Sequence, residues 1–372
     1  MRPDIVVIGA GTVGAAIAYG LAQHGERVLL LDGDDGDFRA ARANFGLVWL
    51  QGKGPGMPAY QTLTRHSVGS WRGFADALEA QSDMTLCYEQ NGGLAFCVGP
   101  DAFDKRQATL QRLHNQWDGG EPDWEMVDRP ALERLLPKVT LGPDVTGASF
   151  GRSDGHANPL RLLAALHAAV IRLGGLVRSN ATVREITAAG DDFRLAVGDE
   201  IIVAPRIVIA AGLGTQALAR QVGLDIPIRP ERGQILVTER LGPLLPLPAS
   251  GLRQTADGTV MIGATKEDVG FDLSTTGTAA GRLSRSAIRI VPALAEAGLV
   301  RQWAGLRVLT PDSYPIYAQS ESHPGAFVAV CHSGVTLAAF HAGSFAAAVA
   351  AGALPDDLSP FHQSRFNGPQ AA

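Results

Sequence analysis

Ile5–Ile8 is a short unbroken β-branched run, the pattern of a strand buried on both faces of a parallel sheet. Apolar positions from Ala15 to Ala22 then recur with helical spacing and stop at Gly25. Val28–Leu31 predicts a second buried strand, closed by Asp32. The theme returns further on. Residues 159–173 (PLRLLAALHAAVIRL) carry helical periodicity and pass through Gly174-Gly175 into strand-like Leu176–Arg178. ATVREI and FRLAVGDEIIVAPRIVIAAG alternate as strands do, and Ile207–Ala210 is another buried strand, ending at Ala211-Gly212. From Ala326, AFVAVCHSGVTLAAFHAGSFAAAVAAG repeats strand, glycine turn and helix. Between these pieces, residues 85–145 and 225–301 have more charge, proline and alternation. The pattern predicts two interleaved domains: residues 1–84, 146–224 and 302–372 form one, residues 85–145 and 225–301 the other.

The first βαβ unit carries chemistry. Gly9, Gly11 and Gly14 fit Gly-x-Gly-x-x-Gly between strand and helix, and Asp32 ends the next strand eighteen residues beyond Gly14. Gly9 allows the tight turn, Gly11 lets backbone approach a pyrophosphate, and Gly14 lets helix pack on strand. The helix N-terminus faces the phosphates, and Asp32 accepts from a ribose diol. The ordered set points to a dinucleotide and leaves NAD and FAD open, while Asp32 disfavours the 2′-phosphate of NADP. The expected fold class is therefore α/β: a Rossmann-like nucleotide-binding domain with an interleaved α+β substrate domain containing an antiparallel sheet. An NAD enzyme usually completes its nucleotide domain in one stretch. Here the chain returns to it, which favours flavin.

Composition narrows the classes. The chain has 372 residues, enough for two or three domains, and a net charge of −5 argues against binding a phosphate backbone. Only Lys53, Lys105, Lys138 and Lys266 are lysines. Cys87, Cys97 and Cys331 are too few and too scattered for a disulfide framework or a zinc site, and no His/Asp/Glu cluster suggests any metal. That usage fits a reducing cytoplasm. Asp4 and the glycine cluster read against a secretory signal. No charged residue occurs from Ala326 to Pro355, but Gly334 divides that stretch into strand and helix, so no transmembrane segment is expected.

The whole chain resembles the FAD-dependent D-amino-acid oxidase, glycine oxidase and sarcosine oxidase family. VVIGAGTVGAAIAYGLA, IVIAAG, PERGQILVTE, DGTVMIGATKEDVGFD, WAGLRVLTPDSYPIY and HSGVTLA fall in family order. RANFGLVWLQGKG narrows the resemblance to flavin-bearing subunits of opine (octopine or nopaline) oxidases, hydroxyproline dehydrogenases and hydrogen cyanide synthase. The resemblance implies that Gly9, Gly11, Val13 and Gly14 hold the pyrophosphate and Asp32 the adenosine ribose. It runs the Ala43–Leu47 loop (Ala43, Asn44, Phe45, Gly46, Leu47) beside the pyrophosphate, ribityl chain and ring. Val183 then meets the adenine, and Ala211 and Gly212 approach the diphosphate. Ser333, Gly334, Val335 and Thr336 point amides at the flavin's pyrimidine end. Sarcosine oxidases tether flavin through a cysteine near the segment matching Gly305; none of the three cysteines sits there, so noncovalent FAD is expected.

On the substrate side, Arg307 matches the arginine that pairs with a substrate carboxylate, where a planar fork binds in two places. Lys266, in GATKED, replaces a residue close to the ring in relatives; a solvated lysine paired with Glu267 or Asp268 is the other reading. Arg253 shares a strand face with Gly251, where glycine-oxidase-like enzymes carry an aromatic, so a larger substrate is expected. Arg253 and Lys53 are expected in surface roles, with contact to a second substrate carboxylate as the other reading. His156, in SDGHANP, reads as a turn histidine or a base, and His332 abuts the flavin-side turn. The expected activity is oxidation of the C–N bond of a secondary-amine amino acid, opines first: hydride leaves Cα for flavin N5 and the imine hydrolyses. Hydroxyproline, proline, glycine or a D-amino acid is the alternative substrate. A non-catalytic FAD-binding subunit is the alternative of another class. The resemblance also implies a hetero-oligomer with other redox subunits, cytoplasmic or held peripherally at the inner membrane through them.

Overall fold

Ile5–Ile8 lies inside a six-stranded sheet in the computed structural model, which describes residues 2–33, 40–117 and 119–367. Residues 1, 34–39, 118 and 368–372 of the expected domain segments lie outside the described residues. The strand order is Ile316–Gln319, Ala326–Val330, Arg206–Ile209, Ile5–Ile8, Val28–Leu31, Leu176–Arg178. All neighbours run parallel except the Ile316–Gln319 edge. Ile5 is in register with both Arg206 and Val28.

The pleat explains why these strands are apolar throughout. Ile5, Val7, Val28, Leu30, Val208 and Phe327 face one core; Val6, Ile8, Leu29, Leu31, Ile207 and Val328 face another. The first core is closed by helices Thr12–Gln23, Pro58–Ser82 and Pro159–Arg172 and by the C-terminal helices from Ala338 to Ala351. The second is closed by an antiparallel meander, Val183–Ala189, Asp192–Val197 and Glu200–Ala204. A strand covered on both sides has no polar face to show. Helix Pro159–Arg172 starts where Asn158 Oδ1 accepts from the amides of Leu160 and Arg161, with proline in the first turn.

A third core sits under two further antiparallel sheets. One orders Leu252–Gln254, Thr259–Gly263, Arg229–Arg240, Leu299–Leu309; the other orders Gly93–Val98, Val145–Gly151, Trp124–Asp128. An isolated bridge between Leu94 and Ala249 links them. Val145–Gly151 pairs wholly on this side, although an expected boundary assigned residues from 146 onward to the nucleotide-binding part. Leu299–Leu309 likewise crosses the expected boundary at 301/302 and pairs with Arg229–Arg240. On sheet membership we propose boundaries after Gly151 and after Leu309.

The uncharged stretch from Ala326 divides as its glycine predicts, into strand Ala326–Val330 and helices beginning at Ala338. Among the described residues no single helix is long and apolar enough to cross a membrane. One bent pair, Ala338–Ala351 with Asp356–Phe366, passes by length and composition with a 111° break.

Candidate active site

A cleft of about 880 Å³ opens at the carboxyl ends of the parallel strands, where Ile8, Leu31, Ala210 and Cys331 reach its wall, and it is closed by Gly233, Ile235 and Gly305–Val308 of the antiparallel sheet. Carboxyl ends of parallel strands are where α/β sheets take ligands.

The glycine turn builds one wall. Gly9 has φ +104°, and a Cβ there would lie 2.4 Å from the Ala210 carbonyl oxygen. A Cβ on Gly14 would lie 1.9 Å from the Gly9 oxygen, so Gly14 serves packing and does not line the cleft. Gly11 differs: a Cβ there meets nothing nearer than Ala41 Cβ at 3.8 Å and projects into the open cleft. Among the described residues the helix that follows has no side-chain cap, and the buried Thr12 Oγ1 has no partner. Orphan amides and a positive helix end suit a diphosphate. His167 Nε2 donates to the Ala10 oxygen at 2.8 Å, fixing the turn, and Asp32 Oδ1 accepts from the Ala10 amide at 3.2 Å.

The Cys331–Thr336 turn builds another wall. Trp71 Nε1 donates to the carbonyls of Val335 and Thr336, and Ser67 Oγ donates to that of Thr336. Thr336 Oγ1 accepts from the Trp49 amide and donates to the Leu47 oxygen, both at 3.2 Å. The carbonyls are thus tied backward, while the amides of Gly334, Val335 and Thr336 have no partner among the described residues. Those free donors and the glycine turn fit a flavin dinucleotide.

The expected cofactor-side residues gather here. Gly9, Gly11, Val13 and Asp32 line the cleft with Ala43, Asn44, Phe45 and Leu47. So do Val183, Ala211, Gly212, Gly305 and Ser333 to Thr336. Gly46 lies behind its loop at φ +90°, where a Cβ would meet the Ala157 oxygen at 2.4 Å.

The basic candidates separate. Arg307 lines the cleft from within strand Leu299–Leu309; its Nη1 donates to Glu231 Oε1 at 2.9 Å, across the antiparallel pair. The guanidinium lies on Gly233, where a Cβ would be 2.7 Å from Nη2. Lys266 is exposed and does not line the cleft, and Glu267 binds Arg232, Gln234 and Thr265 instead of pairing with it. Arg253 is buried and does not line the cleft where a substrate contact was expected of it; it donates to His156 Nδ1 at 3.2 Å and Met261 Sδ at 2.8 Å. Burial lowers its pKa to about 10 and, with the Arg253 charge, lowers that of His156 to about 4. His156 therefore stays neutral and also lies outside the cleft wall. Gly251 turns away at φ +92°, and its neighbour Ser250 does the lining.

Two residues gain weight. Lys53, expected at the surface, lines the cleft with Nζ donating to Ser333 Oγ at 2.8 Å, and Tyr60 OH donates to the same Oγ at 3.1 Å. His332 is pushed down to about 3 by burial first, then by the charges of Lys53, Arg307 and Lys266. The charges of Lys53, Arg307 and Lys266 thus act together on the Cys331–Thr336 turn.

The chain matches the family described as FAD dependent oxidoreductase over residues 4–348. It belongs to that family. It is an FAD-dependent oxidoreductase with FAD as cofactor. This family member is 42% identical over 369 residues to an opine oxidase subunit of Agrobacterium tumefaciens, covering 99% of each chain. It is 40% identical over 368 residues to the corresponding opine oxidase subunit of Rhizobium meliloti, again covering 99% of each. Glycine oxidase of Geobacillus kaustophilus shares its fold, with a TM-score of 0.88 at 24% identity over 98% of this chain and 99% of that one.

Proposed function

We propose that this FAD-dependent oxidoreductase oxidises the C–N bond of an amino acid with a secondary amine, with opines such as octopine or nopaline as its substrates. The observation that carries the reading is Arg307 in the cleft wall, seated on a glycine and oriented by Glu231, in the same cleft as the free amides of the Cys331–Thr336 turn. A planar fork there takes a substrate carboxylate in two places and fixes the adjoining Cα. The likeness to two opine oxidase subunits supports the substrate class.

Bound FAD supplies a two-electron acceptor. Gly9, Gly11, Val13 and the following helix end hold its diphosphate, Asp32 the ribose, and Val183 the adenine. Gly14 and Gly46 shape the backbone behind it. Ala43–Leu47, Ala211, Gly212, Gly305 and the Ser333–Thr336 amides surround the rest. The cofactor is held without a covalent link: Gly305 offers no side chain, and burial pushes the Cys331 thiol up to about 12, away from thiolate chemistry. Substrate enters with its amine neutral, because burial and the charges of Lys53, Arg307 and Lys266 make His332, the histidine on the cleft wall, a poor proton acceptor. The imine product hydrolyses in water. The protein works as one member of a hetero-oligomer, as the names of its relatives suggest for them.

Anaerobic mixing of purified holoenzyme with octopine, nopaline, hydroxyproline, proline, glycine and D-alanine tests the reading. Opines should bleach the flavin absorption fastest. Bleaching by glycine or D-alanine alone would overturn the substrate class.

A further inference from the structure

We propose that Lys53 receives a second substrate carboxylate, on the arm of the secondary amine that Arg307 does not hold, so that the site selects dicarboxylic N-substituted amino acids. The inference rests on the proposed reading of the cleft as the site of C–N oxidation.

Placement comes first. Lys53 is half-buried in the cleft wall, and its Nζ contacts the hydroxyl of Ser333 at the start of the free-amide turn. Among the described residues it has no ion pair. The Arg307–Glu231 pair leaves Lys53 uncompensated, and Lys266 adds a further positive charge near His332. A half-buried ammonium whose one hydrogen bond among the described residues goes to a neutral hydroxyl is a group that gains from an arriving carboxylate. The chain as a whole carries −5, so this positive pocket is local and steers anions to one place.

The lysine is also held in advance. Gly52 and Gly54 flank it at φ +84° and +82°, in the left-handed region that favours glycine. A Cβ on Gly54 would lie 2.8 Å from the Gln61 amide nitrogen, so the loop is pressed onto helix Pro58–Ser82. The Lys53 amide donates to the Leu50 oxygen at 3.0 Å. Below it the fully buried Asp154 accepts through Oδ1 from the amides of Leu50 and Gln51. Asp154 forms no ion pair with Lys53; it anchors the turn and leaves the ammonium facing the cleft. An ordered receptor costs little further order when ligand binds.

Unreactive thioether acids test this with the flavin-saturated protein, using shifts of the flavin spectrum as readout. Thiodiacetate carries two carboxylates and methylthioacetate one. The wild type should bind thiodiacetate about tenfold tighter or better. Lys53→Met should weaken thiodiacetate alone, bringing the two ligands within about threefold, and Lys53→Arg should keep most of the preference. Flavin content is measured on each variant, and Lys53→Gln serves if Lys53→Met loses flavin. Equal weakening of both ligands, or no preference in the wild type, overturns the assignment. Absence of flavin reduction by every secondary-amine amino acid overturns the wider reading instead, whatever the thioethers do.

Discussion

Arg307 enters the cleft with one of its amines committed to Glu231, so its charge is aimed before substrate arrives. Arg307→Ala should leave flavin bound but cost about 2–5 kcal/mol in kcat/KM, the range for truncating one side of a buried charge pair. The loss includes a second effect, because Glu231 is then left facing an incoming carboxylate. Arg307→Lys should recover only part, since an ammonium cannot make two parallel hydrogen bonds. Flavin content and anaerobic reduction rate on one preparation decide it, and a wild-type reduction rate in Arg307→Ala would remove the residue from the site. Residue types alone did not sort the basic candidates. Arg253 and Lys53 were equal in sequence, yet one is sealed against Met261 and the other faces the cleft. Burial of a long side chain depends on what packs over it, and that is not local information. The flanking glycines of Gly52-Lys53-Gly54 were the available signal for Lys53. Asp154 had none, because an acid in a turn looks the same whether exposed or sealed.

Helix Thr12–Gln23 carries two glycines whose roles are opposite to that of Gly11 just before it, and the element-scale forecast follows from that contrast. A Cβ on Gly20 would sit 2.0 Å from the Ala342 carbonyl oxygen, where the C-terminal helices press against this one. Gly20→Ala should therefore cost about 1–3 kcal/mol of stability as overpacking, lowering Tm while flavin stays stoichiometric. Gly11→Val places its bulk in the open cleft instead. It should abolish flavin retention while the apoprotein melts near the wild-type apoprotein temperature. Calorimetry with and without added FAD reads both. Normal flavin content in Gly11→Val would place the diphosphate elsewhere. Elements of this kind were legible because local pattern decides them: buried parallel strands are apolar runs, and this helix begins at its glycine turn. Val145–Gly151 and Leu299–Leu309 straddle the expected boundaries for the converse reason. Alternation announces a strand, but its partner is chosen by the tertiary fold.

Across the whole molecule, three histidines are kept neutral by burial in different cores and walls. His156 is lowered to about 4, and His332 and His341 each to about 3. His341 is sealed against Tyr317, whose hydroxyl lies 2.9 Å from its Nε2. In the unfolded chain each titrates near its ordinary value of about 6.5, so unfolding takes up protons below that pH. Their contribution to stability is present above about 6.5 and is lost as pH falls towards 4 and then 3. Asp154 works in the opposite sense: burial raises its pKa to about 7, so the folded state keeps a proton that the unfolded chain releases above its usual pKa of about 4. Near pH 5 these groups sum to roughly three protons gained and one lost on unfolding, so stability should rise with pH there by about two protons' worth. Asp154→Asn should steepen that slope by about one proton, and His341→Gln should flatten it by about one. Denaturant unfolding of the flavin-saturated protein at intervals from pH 4.5 to 6.5 measures all three slopes. A slope unchanged by His341→Gln would mean that His341 is protonated in the fold, and that the Tyr317 hydroxyl accepts from it.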